Sequence, residues 1–170
     1  MKKIAWGFTG AGHFLEDCLK LLLEMVHVDV YLSKAAEEVI QMYGFQKGFV
    51  SLPVYKDKAA SSPRAGKFYQ GEYDLLVIAP ATSNSVAKFV NGISDSLISN
   101  LFAHAGKCCV PIIILPCDSE DFLVSRSPTG LVKVFPRQVD LTNLQKLKQM
   151  DNVVVVSNPG ELRQCLKNYL

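Results

Sequence analysis

The sequence predicts an α/β domain whose mainly parallel, doubly wound sheet carries helices on both faces. Short apolar runs alternate with amphipathic helical patterns along nearly the whole chain, as they do where helices connect parallel strands. The runs Ile4–Phe8, Val28–Leu32, Tyr73–Ala79, Val110–Leu115 and Val153–Val156 are largely apolar throughout, the pattern of strands covered on both sides. A loop with three glycines joins the first run to the first helical pattern, a common start for such sheets. The expected architecture is therefore Rossmann-like, three layers α/β/α, in a single domain spanning residues 1–170.

The elements follow in order. After the strand Ile4–Phe8, the stretch His13–Met25 reads as a helix with Phe14, Cys18, Leu21, Leu22 and Met25 on one face. Val28–Leu32 is the second strand. Ser33 is placed to cap a helix over Lys34–Tyr43, with Glu37 spaced for a capping box and Gly44 as the stop. Gln46–Gly71 is the least regular part, with a short strand expected near Phe49–Leu52 and then a mobile loop. Tyr73–Ala79 is a strand, followed by helices over Asn84–Asn91 and Asp95–Ala105 that part at Gly92. Val110–Leu115 is a strand, Asp118–Ser125 a short helical piece, and Gly130–Val134 a small strand or loop. Leu141–Met150 is an amphipathic helix and Val153–Val156 the last strand. Pro159–Tyr169 closes the chain as a helix with Pro in its first turn.

Composition narrows the function classes. The 170 residues suffice for one substantial core, and 49% are apolar. A net charge of +2 gives no sign of a nucleic-acid partner or a polybasic membrane anchor. No apolar run is long enough to cross a bilayer. The first run breaks at Gly7, so it reads as a strand rather than a secretory signal, and the expected location is cytoplasmic. The five cysteines include no C-x-x-C. They read as reduced thiols in a core, with no metal site.

Two loops carry the chemistry. In the first, Thr9-Gly10-Ala11-Gly12-His13, backbone N–H groups and glycines can accept a phosphate at close range; the other reading is a tight turn that needs glycine for geometry alone. Leu15 stands where a dinucleotide fingerprint wants Gly or Ala, and the second strand ends in Ser33-Lys34 rather than an acidic residue. Both features oppose NAD and suit a mononucleotide. Ser33 serves as helix cap, as contact to a ribityl or ribose hydroxyl, or as both. His13, protonated, would face a phosphate, or else lie in solvent.

The second loop, Pro80-Ala81-Thr82-Ser83-Asn84, ends an apolar strand and opens a helix. One of its hydroxyl or amide groups suffices for capping; three in a row suit a planar heterocycle with several polar edges. Lys88 lies four residues on, on the same side of that helix. Cys117 and Asp118 end a later strand on the same side of the sheet. Asp95 is placed to cap the helix it opens. Lys56, Lys58, Arg64 and Lys67 form either a solvated loop or a basic flap able to receive an anionic substrate or an acidic redox partner.

The series Pro80-Ala81-Thr82-Ser83-Asn84-Ser85, then Ala87-Lys88, then Asn91-Gly92-Ile93-Ser94-Asp95-Ser96-Leu97 resembles the signature of the flavoprotein superfamily that includes the homo-oligomeric cysteine decarboxylases. Ser62–Tyr69, Gly71–Asp74 and Leu115–Asp118 make the chain most similar to archaeoflavoproteins and acceptor-type dihydromethanopterin reductases. The resemblance implies FMN as cofactor, with phosphate at Thr9–His13, ribityl contacts near Ser33 and the ring beside Pro80–Asn84. It implies an oxidoreductase or electron carrier that takes electrons from NAD(P)H or a ferredoxin-like protein and passes them to a small acceptor such as a pterin. It also implies a homo-oligomer built from trimers. The decarboxylases of the superfamily carry a His before the Pro-Ala motif and a Pro-x-Met-Asn segment later. Here Leu52–Tyr73 contains no His, and Pro116-Cys117-Asp118-Ser119 stands at the later segment. Decarboxylation of a cysteine-derived substrate, or a non-catalytic role like that of the small subunit of dipicolinate synthase, are the alternatives.

Overall fold

A computed structural model describes residues 3–167. Six strands form the main sheet: β1 (Ile4–Phe8), β2 (Val28–Leu32), β3 (Val54–Lys56), β4 (Leu75–Ala81), β5 (Ile112–Pro116) and β8 (Val153–Val155). They lie in the order β3-β2-β1-β4-β5-β8, and every neighbouring pair is parallel. Helices α1 (Leu15–Leu23), α2 (Lys34–Met42), α3 (Ser83–Val90), α4 (Leu97–Lys107), α5 (Gln138–Leu147) and α6 (Pro159–Leu166) supply the crossovers and cover. The chain winds outward from β1 through β2 to β3, then returns to the other side of β1 with β4. The loops leaving β1 and β4 therefore diverge, which opens a crevice at their carboxyl ends.

Both faces of the sheet are packed. On one, Trp6, Phe8, Val30 and Val77 meet Leu15, Leu22 and Leu162. On the other, Leu76, Ile78 and Ile114 meet Ile98, Leu101 and Leu147. Burying polar indole is costly unless it is satisfied, and Trp6 Nε1 donates to the Ala79 carbonyl at 2.8 Å, binding β1 to the end of β4. Beneath the Pro63–Phe68 3-10 segment, buried Asp29 accepts from Tyr73 Oη at 2.5 Å and lies 3.0 and 3.1 Å from the ammonium groups of Lys3 and Lys67. Paired in this way, a carboxylate is tolerated in the interior. Among the described residues no helix is long and apolar enough to cross a membrane.

Three local expectations are corrected. Phe49 and Leu52 do not make a strand. Gln46–Phe49 is a 3-10 turn that buries Phe49, and the edge strand follows at Val54–Lys56. The stretch after Asp118 is not helical: β6 (Leu123–Ser127) pairs antiparallel with β7 (Gly130–Val134) as a separate hairpin. Glu37 does not complete a capping box, because its carboxylate pairs with Lys56 while Ser33 alone caps α2. The end expected for the last helix, Tyr169, lies outside the described residues.

Candidate functional site

Thr9, the first residue beyond β1, sets the width of the crevice. Its N–H and its hydroxyl both donate to the Pro80 carbonyl, at 3.3 and 2.9 Å, and the same hydroxyl accepts the Thr82 N–H at 2.9 Å. Thr9 is buried and its bonding is spent on this strap. Gly10 then packs on the first turn of α2. A Cβ on Gly10 would lie 2.5 Å from Ala35 Cβ, so only glycine permits this approach.

Three helix amino ends converge on the crevice, each with a partial positive charge. At α2, Ser33 Oγ accepts the Ala36 N–H at 3.0 Å. Among the described residues, the N–H groups of Gly10, Lys34 and Ala35 take no partner. At α3, Thr82 Oγ1 accepts the Ser85 N–H at 3.2 Å, and Asn84 is exposed beside it. At α4, Ser96 and Ser99 form a reciprocal capping box, and the Leu97 N–H goes to Asp57 Oδ2 at 3.2 Å. The α4 end is thus already filled by a carboxylate, while the α2 end is open to an anion.

The space so enclosed measures about 560 Å³, within the range of small-molecule sites. Of the residues singled out from the sequence, it brings together Thr9, Gly10, Ser33, Lys34, Thr82, Asn84 and Lys88. Its charged lining is Lys34, Lys58 and Lys88 against Asp57 and Asp95. Asp95 does not cap α4; Ser96 does, and Lys88 Nζ donates to both Asp95 oxygens, at 2.7 and 2.9 Å. This pair holds the Asp95 carboxyl below its ordinary range.

The remaining candidates lie elsewhere. Ala11 is buried and spends its N–H on the Thr9 carbonyl at 2.8 Å. Gly12 and His13 turn to the far side of the loop, toward a second groove of about 650 Å³ shared with Tyr43 and Arg126 of the hairpin. A Cβ on Gly12 would run into the end of the Tyr43 side chain, which would have to shift. His13 Nδ1 lies 3.1 Å from Ser125 Oγ. Burial lowers the His13 pKa, and the opposing pull of Asp118, Asp17 and Glu120 does not restore it, so at neutral pH it is a poor positive partner for a phosphate. Pro80 and Ala81 are buried and contribute backbone. Ser83 donates to Asp118. Cys117 is buried, and desolvation pushes its thiol up.

Asp57, Lys58, Ser85 and Ser99 line the space without having been singled out as cofactor ligands. Asp57 follows β3 directly, so its place was hidden by the misplaced edge strand. Of the basic residues in the irregular segment, Lys58 alone faces the space. Lys56 pairs with Glu37, Lys67 with Asp29 and Glu72, and Arg64 lies over the Tyr55 ring.

A crevice at the switch point of a parallel sheet, with an open helix end and a close-packed glycine, is a nucleotide-site geometry. The family model described as Flavoprotein matches residues 1–167. The chain belongs to the flavoprotein family. This flavoprotein is 38% identical to a dihydromethanopterin reductase (acceptor) of Methanosarcina mazei, over 76% of the chain and 61% of that protein. It thus spans about three fifths of the length of that relative. An uncharacterised protein of Methanocaldococcus jannaschii is 34% identical over 100% of the chain and 97% of its own length. Among solved structures, Burkholderia xenovorans DmrB in complex with FMN, a cubic protein cage for redox transfer, superposes with a TM-score of 0.90. It is 40% identical, covering 98% of this chain and 94% of its own.

Proposed function

We propose that this flavoprotein binds FMN in the 560 Å³ crevice and works as an oxidoreductase or electron carrier. The observation that carries the reading is the open amino end of α2 beneath Gly10, in the same space as the polar wall of Thr82, Asn84 and Lys88. The free N–H groups of Gly10, Lys34 and Ala35 suit a phosphate, and the Lys34 ammonium adds charge. Ser33, although it caps α2, keeps lone-pair capacity for a hydroxyl of the ligand. Asn84 and the N–H groups of the first turn of α3 suit the polar edge of a ring. FMN, when bound, supplies the electron transfer; the chain supplies binding, orientation and local charge.

The redox assignment draws on the M. mazei and B. xenovorans relatives. The electron donor in this reading is NAD(P)H or a ferredoxin-like protein, and the acceptor a small molecule of the pterin class. A homo-oligomer built from trimers is part of the reading. Support comes from the cage formed by the B. xenovorans relative and from large apolar side chains left exposed here, among them Leu131 at 77% and Phe135 at 69%. The absence of His from Leu52–Tyr73 weighs against a decarboxylase of the superfamily type.

The test is the visible spectrum of the purified protein reconstituted with FMN, followed by anaerobic addition of NADH, NADPH or reduced ferredoxin. Bleaching of the flavin band by one donor, with recovery on adding an oxidised pterin, is the expected result. Loaded protein that no donor reduces would overturn the redox role.

A further inference from the structure

The Lys88–Asp95 pair lies within the proposed cofactor crevice, and the fold goes to some length to assemble it. Lys88 is in the last turn of α3, and Asp95 precedes the first residue of α4 by two positions. Between them the chain reverses through a glycine-capped turn. The Gly92 N–H bonds to the Phe89 carbonyl at 3.2 Å and the Ile93 N–H to the Lys88 carbonyl at 2.9 Å, with Gly92 at φ 68°. That is the Schellman pattern, and it brings residue 95 back over residue 88. The Lys88 side chain is only 25% exposed, whereas Asp95 is 55% exposed. The lysine is thus the fixed member, held between the crevice and an apolar groove lined by Phe89 and Phe102. The aspartate is the member reached most easily by water.

An ammonium held in place at a cofactor site favours whichever form of the cofactor carries more negative charge. FMN reduced by two electrons and one proton is more negative at its ring than oxidised FMN, so charge near the ring tunes its potential. A carboxylate bonded through both oxygens to that ammonium cancels most of this preference. We infer that Asp95 is a positioning residue that neutralises Lys88 and so sets how strongly the site prefers reduced over oxidised FMN. The inference rests on the proposed FMN site. With Asp95 in place the pair is close to neutral, and the cofactor can give up electrons as well as take them. Without it, Lys88 would tilt the site toward the reduced form.

The test is a thermodynamic cycle. Dissociation constants for oxidised FMN and for dithionite-reduced FMN are measured for the wild type, Asp95→Asn, Lys88→Met and the double variant, with circular dichroism as folding control. Asp95→Asn is expected to raise the ratio of oxidised to reduced dissociation constants about tenfold, equivalent to a two-electron midpoint potential about 30 mV higher. Lys88→Met is expected to lower the ratio, because it leaves the Asp95 carboxylate uncompensated. In the double variant, which like the wild type carries no net charge at these two positions, the ratio should return to near the wild-type value. A ratio that stays within about twofold of wild type in folded, FMN-binding Asp95→Asn would overturn the inference, as would a double variant whose ratio stays as high as that of Asp95→Asn alone. Wild-type protein that takes up neither form of FMN would overturn the site assignment itself, and with it this inference.

Discussion

The Thr9 hydroxyl donates to the Pro80 carbonyl at 2.9 Å, across the point where the strand order reverses. It also accepts from the Thr82 N–H, so one side chain fixes the glycine loop against the Pro-Ala-Thr loop. In the sequence these segments are two separate motifs; in the fold they are two rims of one crevice. Thr9→Val keeps the shape and removes both bonds. The variant should lose about 1–3 kcal/mol of stability, because the Thr82 N–H is left without its acceptor. Urea unfolding measures this, and FMN affinity should fall along with it.

Gly10 is a steric requirement rather than a flexible joint. Gly10→Ala would press a methyl against Ala35 at 2.5 Å, whereas a Cβ at Gly66 meets nothing within 4 Å. Gly10→Ala should cost about 1–3 kcal/mol through overpacking and weaken FMN binding at least tenfold. Gly66→Ala should leave FMN binding unchanged. Fluorescence titration of the two variants side by side checks both.

The buried Asp29 predicts a pH dependence. Burial alone would raise its pKa, but hydrogen bonds from Tyr73, Lys3 and Lys67 outweigh that and hold it below the ordinary value. A folded-state value below the unfolded one gives stability that is present above the unfolded pKa and lost as pH falls through the folded one. Asp29→Asn should therefore be less stable than wild type by about 2 kcal/mol at pH 7. The gap should begin to narrow only below about pH 4 and go on narrowing as the pH falls further. Glu72, which also pairs with Lys3 and Lys67, stays in both proteins. Thermal unfolding of the two proteins between pH 7 and pH 3 reads the difference.

Much of this was legible in the sequence, and the failures have physical causes. The long central strands announce themselves because both their faces are buried, so β1 and β2 fall at the expected bounds. The edge strand β3 has three residues and is only partly buried. Its apolar signal was eclipsed by Phe49, which is buried from a 3-10 turn instead. The β6–β7 hairpin pairs only with itself, so no core imposes a pattern on it, and β7 has four of five residues exposed. The lining of the candidate site was legible wherever a loop followed a clear strand, as at Thr9, Gly10, Ser33, Thr82 and Asn84. Asp57 follows the strand that was misplaced. His13 sits in sequence next to the crevice, yet it lines the groove on the hairpin side, with Nδ1 3.1 Å from Ser125 Oγ.

Cysteine reactivity should follow burial. Cys18 and Cys117 are buried and Cys109 is exposed, and desolvation raises the pKa of the first two. The thiolate is the reacting species, so brief treatment of the native protein with iodoacetamide should label Cys109 and spare Cys18 and Cys117. Peptide mapping decides this. Early labelling of Cys117 would place it in contact with solvent, contrary to its packing under the His13 carbonyl.

The crevice between the Gly10 loop and the Thr82–Lys88 helix is the proposed FMN site. Its most direct measurement is titration of flavin-free protein with FMN, alongside riboflavin, which lacks the phosphate. Saturable FMN binding with a dissociation constant of about 1 μM or tighter is expected. Riboflavin with the wild type, and FMN with Gly10→Ala, should bind at least about tenfold more weakly. Equal affinity for FMN and riboflavin would contradict the phosphate end at α2, and no binding of either would contradict the site.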